Sequence, residues 1–256
     1  MPGERFQLFQ DFSPAVTPND CFDQLFIPEN HVSRRPTDTY YYNRELCLRT
    51  HTSAHQIPIL KNPENNAFLV MGDVYRKDTV DKTHYPAFHQ MEGVRVFKDL
   101  NGTFGTENVD EVKLLVQRDL KNVLENLARH IFGDVEMRWN DDYFPFTDPS
   151  FELEVFYNGE WLEVLGSGVI LDGVLRNADR DPTKEVGWAF GLGLERWAMK
   201  LFEIEDIRLF WSTDTRFLSQ FKPGVITKFK PYSKYPVCYK DIAFWIEDSF
   251  NENEFF

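Results

Sequence analysis

Gly187-Trp188-Ala189-Phe190-Gly191-Leu192-Gly193-Leu194-Glu195-Arg196 sets a glycine-rich strand end directly against the start of a helix. Glycines let a backbone approach a flat ligand closely, and an arginine at the helix start aims a permanent charge at that glycine face. Alone, the string also suits an ordinary packed strand–helix corner. Gly191-Leu192-Gly193 lacks the third glycine of the dinucleotide fingerprint, and no GxxxxGK[ST] occurs in the chain. Rossmann and P-loop architectures are therefore disfavoured.

Working outward, Leu194, Trp197, Ala198, Leu201 and Phe202 continue the helix. Upstream, Glu152–Phe156 and Trp161–Leu165 flank Asn158-Gly159, a type I′ hairpin signal. Val135–Trp139 reads as a further strand. The strongest helix is predicted between about Asp110 and Phe132, where Val112, Leu115, Val116, Leu120, Val123, Leu124, Leu127 and Ile131 recur at helical spacing before Gly133-Asp134 stops it. Ala67–Met71 and Gly93–Phe97 read as two strands that pair antiparallel through a polar loop from Lys77 to Gln90. Before them, turn residues dominate and no long helical period is present. Strands on both sides of one central helix, without βαβα alternation, predict an α+β fold with an antiparallel sheet flanked by helices.

Composition limits the function. Hydrophobic residues form 42% of the 256, enough for a sizeable core, and 24 are Phe. A net charge of −13 argues against a broad nucleic-acid surface, so any such contact is local. Cys21, Cys47 and Cys238 form no CxxC pair, which fits a reducing compartment and offers no zinc site. His51 and His55 are spaced i, i+4, but Arg49–Gln56 shows no helical apolar period that would make this a zinc spacing. No stretch has the length of a membrane span, and the start has neither a signal core nor an Arg-rich transit composition.

A second constellation is Val74-Tyr75-Arg76-Lys77-Asp78, followed by a loop with His84, Phe88, His89, Gln90 and Glu92. An arginine at a strand end can grip two phosphate oxygens at once, although a surface arginine on a plain hairpin reads the same way. Together the two constellations have the order and arginine placement of motifs 2 and 3 of the class II aminoacyl-tRNA synthetases. Arg76, Thr83-His84 and Phe88-His89-Gln90-Met91-Glu92-Gly93 resemble motif 2 of the phenylalanyl-tRNA synthetases. Arg49-Thr50-His51-Thr52-Ser53-Ala54-His55-Gln56 and Tyr143-Phe144-Pro145-Phe146-Thr147-Asp148-Pro149-Ser150 resemble two further segments of that family, and Trp161–Gly168 resembles its strand before motif 3.

The resemblance implies a class II catalytic domain that uses ATP and Mg2+, without zinc, to activate L-phenylalanine for tRNA(Phe). It implies Arg76 on the α-phosphate and Arg196 on the γ-phosphate. Phe88 would stack on adenine over Gly191 and Gly193, and His84 would reach the outer phosphates. It further implies His51, Ser53, Gln56, Gln90 and Glu92 around the amino acid's polar end, and Phe144 and Phe146 on its ring. Ser167 would stand at the far end of the ring pocket, and Glu163 is the candidate magnesium ligand. Phe144 and Phe146 are spaced i, i+2, so in an extended segment both rings face one side. Trp197 stands where a smaller aliphatic residue is more usual, which reads as altered packing.

Tyr235–Phe244 resembles the first strand of a ferredoxin-like anticodon-binding domain. Residues 1–230 are thus expected to form the catalytic domain and 231–256 the incomplete start of that second domain. This layout belongs to the family's monomeric mitochondrial branch and places the chain in the mitochondrial matrix, with the targeting segment not visible in it. Motif 1 is barely represented, by Phe12-Ser13-Pro14 alone. Two rival readings are a non-catalytic class II paralogue and an α subunit that needs a β partner. The retained arginines weigh against the first, and Tyr235–Phe244 against the second.

Overall fold

A computed structural model describes residues 6–233, 235 and 239–251. The strands are β1 Gln7–Phe9, β2 Ala15–Val16, β3 Cys47–Leu48, β4 Ala67–Tyr75, β5 Ala87–Phe97, β6 Met137–Asp142, β7 Thr147–Tyr157, β8 Glu160–Ile170 and β9 Val186–Gly193. The helices are α1 Pro18–Cys21, α2 Gln56–Leu60, α3 Leu100–Phe104, α4 Val109–Phe132, α5 Asp172–Asn177, α6 Leu194–Leu201 and α7 Thr215–Leu218.

Seven strands form the main sheet in the order β1-β4-β5-β9-β8-β7-β6, while β2 and β3 make a separate pair. Every neighbour pair from β4 to β6 is antiparallel, as expected, but β1 joins β4 in parallel and makes the sheet mixed. The β7–β8 hairpin turns at Asn158 and Gly159, whose φ of 51° and 88° give the left-handed pair that a type I′ turn requires.

Helix α4 covers one face of the sheet. Asn108 caps it by accepting from the backbone of Asp110 and Glu111, and Gly133 ends it at φ 82°. Its buried Val112, Val116, Leu120, Leu124, Ala128 and Phe132 pack on Leu153, Val155, Val164, Leu165, Trp188 and Phe190. Trp197 extends this core, with its indole donating to the Val164 carbonyl at 2.6 Å. On the opposite face a second core joins Phe68, Val70, Val94, Val96, Ile170 and Ala189 to α1, α2 and α5. That cover stops short of the β5 and β9 ends carrying Gln90, Glu92, Gly191 and Gly193.

Three expectations need correction. The hairpin joining β4 and β5 is longer-stranded than predicted, so His89 and Gln90 lie on β5 and only residues 76–86 form the loop. Polar side chains at a site-facing strand end erase the apolar alternation that marks a strand. Residues 52–60 are helical, a 3-10 turn at Thr52–His55 followed by α2. Thr52, Ser53, Ala54, His55, Gln56 and Ile57 are all buried, so no exposed face exists to give an amphipathic period. The predicted strand at Tyr235–Phe244 falls partly on residues 236–238, outside those described, and residues 239–246 carry no strand.

Arg49 bolts the site's wall to the sheet. Fully buried, it donates to the Asp73 carbonyl at 2.7 Å, its carboxylate at 3.0 Å and the Phe12 carbonyl at 3.3 Å, and meets His55 Nε2 at 2.8 Å. Gly72 lies under that guanidinium, and a Cβ there would overlap it. Gly72→Ala should therefore displace a buried charge from its partners and lower stability by about 3 kcal/mol, read as a reduced urea midpoint at unchanged slope.

Candidate active site

Strands β5, β9 and β8 lay the floor. Phe88, Gln90 and Glu92 alternate onto one face of β5. Gln90 pairs with Gly193, Glu92 with Gly191, and Gly191 in turn with Gly166 on β8. A Cβ on Gly191 or Gly193 would meet nothing within 4 Å, so the floor there is clear. A Cβ on Gly166 would lie 2.6 Å from Phe144 Cζ, so that glycine seats an aromatic ring instead.

Two arginines stand over this floor. Arg76, just past β4, donates Nε to the Thr50 carbonyl at 3.0 Å and holds its guanidinium 5.1 Å from the Phe88 ring centre. Arg196, in the first turn of α6, pairs with Glu163 at 3.0 Å. Burial lowers the pKa of Arg76 most; Asp78 and Cys21 oppose this, and the like charge of Arg196 adds to it. The two cations thus feel each other across a gap that a polyanion would fill favourably.

Beside them lies a pocket of buried polar atoms. Ser53 donates its hydroxyl to Glu92 Oε2, while Glu92 Oε1, Gln90 Oε1, Gln56 Oε1 and both His51 nitrogens are buried without a hydrogen-bond partner. Burial pushes the Glu92 carboxyl up to about 7, with the Ser53 and Thr52 hydroxyls pulling the other way. Burial and then the Arg76 charge push His51 down to about 3, against an upward pull from the Cys21 backbone, so its ring is neutral. A cluster of this kind is built for a ligand's polar end, because each unpaired buried group costs about 1–3 kcal/mol.

The aromatic wall adjoins it. Phe144 and Phe146 stack at 6.1 Å with planes 18° apart, and Phe146 lies 6.4 Å from the His51 ring. The rings share a side because residues 145–146 turn, with Thr147 N–H donating to the Phe144 carbonyl at 3.2 Å, and not because the segment is extended.

Other expected residues are placed differently. Ser167 pairs with Phe151 and Phe190 and faces the α4 core, not the ring pocket. A bulge in the β7–β8 pairing, between Leu153 and Glu154, inserts one residue on β8 and flips the strand, so Gly166 and Gly168 take the site face. Ala189, which the sequence reading missed, pairs with Val94 and Gly168 on that face. His84 is exposed and bonds Asp81 within its own loop at 2.9 Å. His55, whose spacing from His51 is not read as a zinc signal, meets Arg49 and stacks on Phe12 at 4.6 Å.

Glu163 is held by Arg196, so it is not a free carboxylate. Next to it Glu152, on β7, is pushed up to about 7 by burial and then by Glu163 and Asp142. Magnesium is commonly held by one or two carboxylates plus phosphates and water. Such crowded oxygens fit that supporting role, and among the described residues no group of three or more His, Cys, Asp or Glu could hold a metal.

A family profile described as "tRNA synthetases class II core domain (F)" matches residues 6–221. The chain is 56% identical over 254 residues to "Phenylalanine--tRNA ligase, chloroplastic/mitochondrial" of Arabidopsis thaliana, covering 98% of this chain and 57% of that protein. It is 45% identical over 299 residues to "Phenylalanine--tRNA ligase, mitochondrial" of Dictyostelium discoideum, covering 98% and 65%. The protein of the same name in Mus musculus is 47% identical over 276 residues, at 98% and 60%. The chain thus spans roughly three fifths of the length of these relatives.

The raised pKa of Glu92 sets a pH dependence. Unfolded, the carboxyl ionises near 4.5; folded, near 7. Between those values the folded state holds the extra proton, so stability falls as pH rises. Glu92→Gln should remove this fall and gain roughly 2–3 kcal/mol relative to the parent on going from pH 5 to pH 8, measured by urea unfolding at both. A variant stability difference that does not change with pH would rule out a neutral carboxyl in the folded state.

Proposed function

This chain belongs to the class II tRNA synthetase core family, and from that premise we propose that its site activates L-phenylalanine with ATP. One observation carries the reading. Unpartnered buried atoms of His51, Gln90 and Glu92 sit between two stacked phenylalanine rings and two arginines.

In this reading adenine lies over Gly191 and Gly193 against Phe88. Arg76 holds the α-phosphate and Arg196 the γ-phosphate, released from Glu163 as the anion arrives. The substrate's ammonium donates to Glu92, Gln90 and Ser53, and its ring enters beside Phe144 and Phe146. An arriving ammonium favours the ionised form of Glu92, so binding releases a proton below about pH 7. A carboxylate oxygen of phenylalanine then attacks the α-phosphorus in line; the bond to the bridging oxygen breaks and pyrophosphate leaves. The protein supplies position and charge, and no side chain acts as nucleophile. Magnesium, bound with the triphosphate and supported by Glu152 and Glu163, would offset phosphate charge. His84 is proposed to swing from Asp81 to the outer phosphates.

The phenylalanyl group is then passed to tRNA(Phe), with release of AMP. We further assign the chain to the mitochondrial matrix as a monomer, with residues 231–256 beginning a ferredoxin-like anticodon-binding domain. The relatives' organellar names and the Tyr235–Phe244 resemblance support these assignments.

Phenylalanine-dependent ATP–pyrophosphate exchange tests the proposal. Arg76→Ala and Arg196→Ala should each lower the exchange rate by about 10²–10³. Exchange that ignores phenylalanine, or survives both changes, would refute it. Tyrosine should support exchange about 10²-fold less efficiently, because an apolar ring pocket rejects an added hydroxyl only weakly. A discrimination of 10⁴ or more would point instead to a steric block at the ring's end that leaves no room for the hydroxyl.

A further inference from the structure

Glu195 lies on the opposite side of the sheet from the substrate pocket, one residue before Arg196. It is buried, yet both its oxygens are given to a single residue. The His89 backbone N–H donates to Oε1 at 3.0 Å and to Oε2 at 2.8 Å, and His89 Nδ1 meets Oε1 at 2.6 Å. His89 follows Phe88 directly and is paired through β4 with Asp73, three residues before Arg76. From outside, Trp211 lies parallel to the His89 and Tyr85 rings, at 5.9 Å and 5.3 Å with planes 14° and 18° apart. Ile207 N–H donates to the Lys82 carbonyl at 2.8 Å, so the same segment holds the loop between β4 and β5.

We propose that Glu195 is a positioning residue: it clasps His89 and so fixes the hairpin carrying Arg76 and Phe88 against the helix carrying Arg196, with Trp211 backing the clasp. Burying a carboxylate is costly unless hydrogen bonds compensate it, and here all three bonds converge on one point of the hairpin. Among the described residues neither arginine hydrogen-bonds or ion-pairs with the element carrying the other, so beyond the β5–β9 ladder this contact ties the two phosphate-binding charges together. A clasp of this kind governs ATP more than phenylalanine, because Gln90 and Glu92 are held by their own ladder partners Gly193 and Gly191, and Glu92 also by Ser53. The inference rests on the ATP-dependent activation proposed above.

The test is pyrophosphate exchange with each substrate varied, together with calorimetric binding of ATP alone. Glu195→Gln, which keeps one acceptor for the backbone N–H, should raise the ATP KM by on the order of tenfold and Glu195→Ala by up to a hundredfold. The phenylalanine KM should stay within about twofold, since the clasp bonds fall on His89, whose side chain leaves β5 on the face opposite Gln90 and Glu92. Glu195→Ala combined with His89→Ala should fall short of additivity, because the Nδ1–Oε1 bond is lost in both single variants. Lys200→Ala, on the same helix as Glu195, removes an exposed pair with Glu160 of β8 and serves as the control. Equal rises in both KM values, a loss of active enzyme without a KM change, or full additivity would each overturn the proposal. If Glu195→Ala does not fold, Glu195→Gln decides it. If the parent shows no phenylalanine-dependent exchange, ATP binding still reads the clasp, and unchanged affinity in Glu195→Gln overturns it.

Discussion

The register between β5 and β9 governs the site. It sets Gly193 opposite Gln90 and Gly191 opposite Glu92, so two residues without side chains face two polar ones. A slip of one residue would turn Gln90 and Glu92 into the α4 core and bring Met91 to the ligand face. The register is secured from both sides. Val94 and Val96 lie in one core while Trp188 and Phe190 lie in the other, so neither strand can move without exposing apolar surface. Each buried large side chain contributes about 1.5–3 kcal/mol, and that is what holds the glycines in place.

That security offsets a local deficit. Unpartnered atoms of His51, Gln56, Gln90 and Glu92 oppose folding, and Glu92 avoids part of the penalty by keeping its proton. A ligand carrying an ammonium group reverses these terms together, since the pocket's acceptors gain a donor and Glu92 gains a counter-charge. The site is thus weak in stability where it is strong in recognition, a division common to binding pockets. Arg49 belongs to the other side of that division, because every bond it makes is internal.

Much of this was legible in the chain. The Asn158-Gly159 turn, the α4 period with its Gly133 stop and the glycine-rich strand before Arg196 each depend on local chemistry, and local chemistry is written in neighbouring residues. The resemblance brought His51, Ser53, Gln56, Gln90 and Glu92 to attention, and the structure gathers them at one end of the sheet. What was not legible depends on pairing across distance. Ser167 would face the pocket on a regular strand, and only the bulge opposite Leu153 and Glu154 turns it away. The parallel edge strand β1 is three residues long, too short to register any period. Ion pairs such as Glu163 with Arg196 join residues that sequence alone gives no reason to connect.

The net charge of −13 then has a spatial meaning. Like charges farther apart than about 8–10 Å are screened by salt at the surface, so the acidic excess over the whole chain hardly weakens a phosphate's attraction to the site. Arg76 is different: its burial keeps screening solvent away, and its field reaches Arg196 and His51 alike. A part-buried Arg76 beside an exposed Arg196 of like charge stores free energy that a triphosphate would release on binding. An acidic protein can hold a polyanion in this way, because what matters is the spacing of two arginines and not the sum over the surface. In the proposed reading that spacing depends on how β5 and α6 are joined, by the β5–β9 pairing and by the contacts of Glu195 with His89.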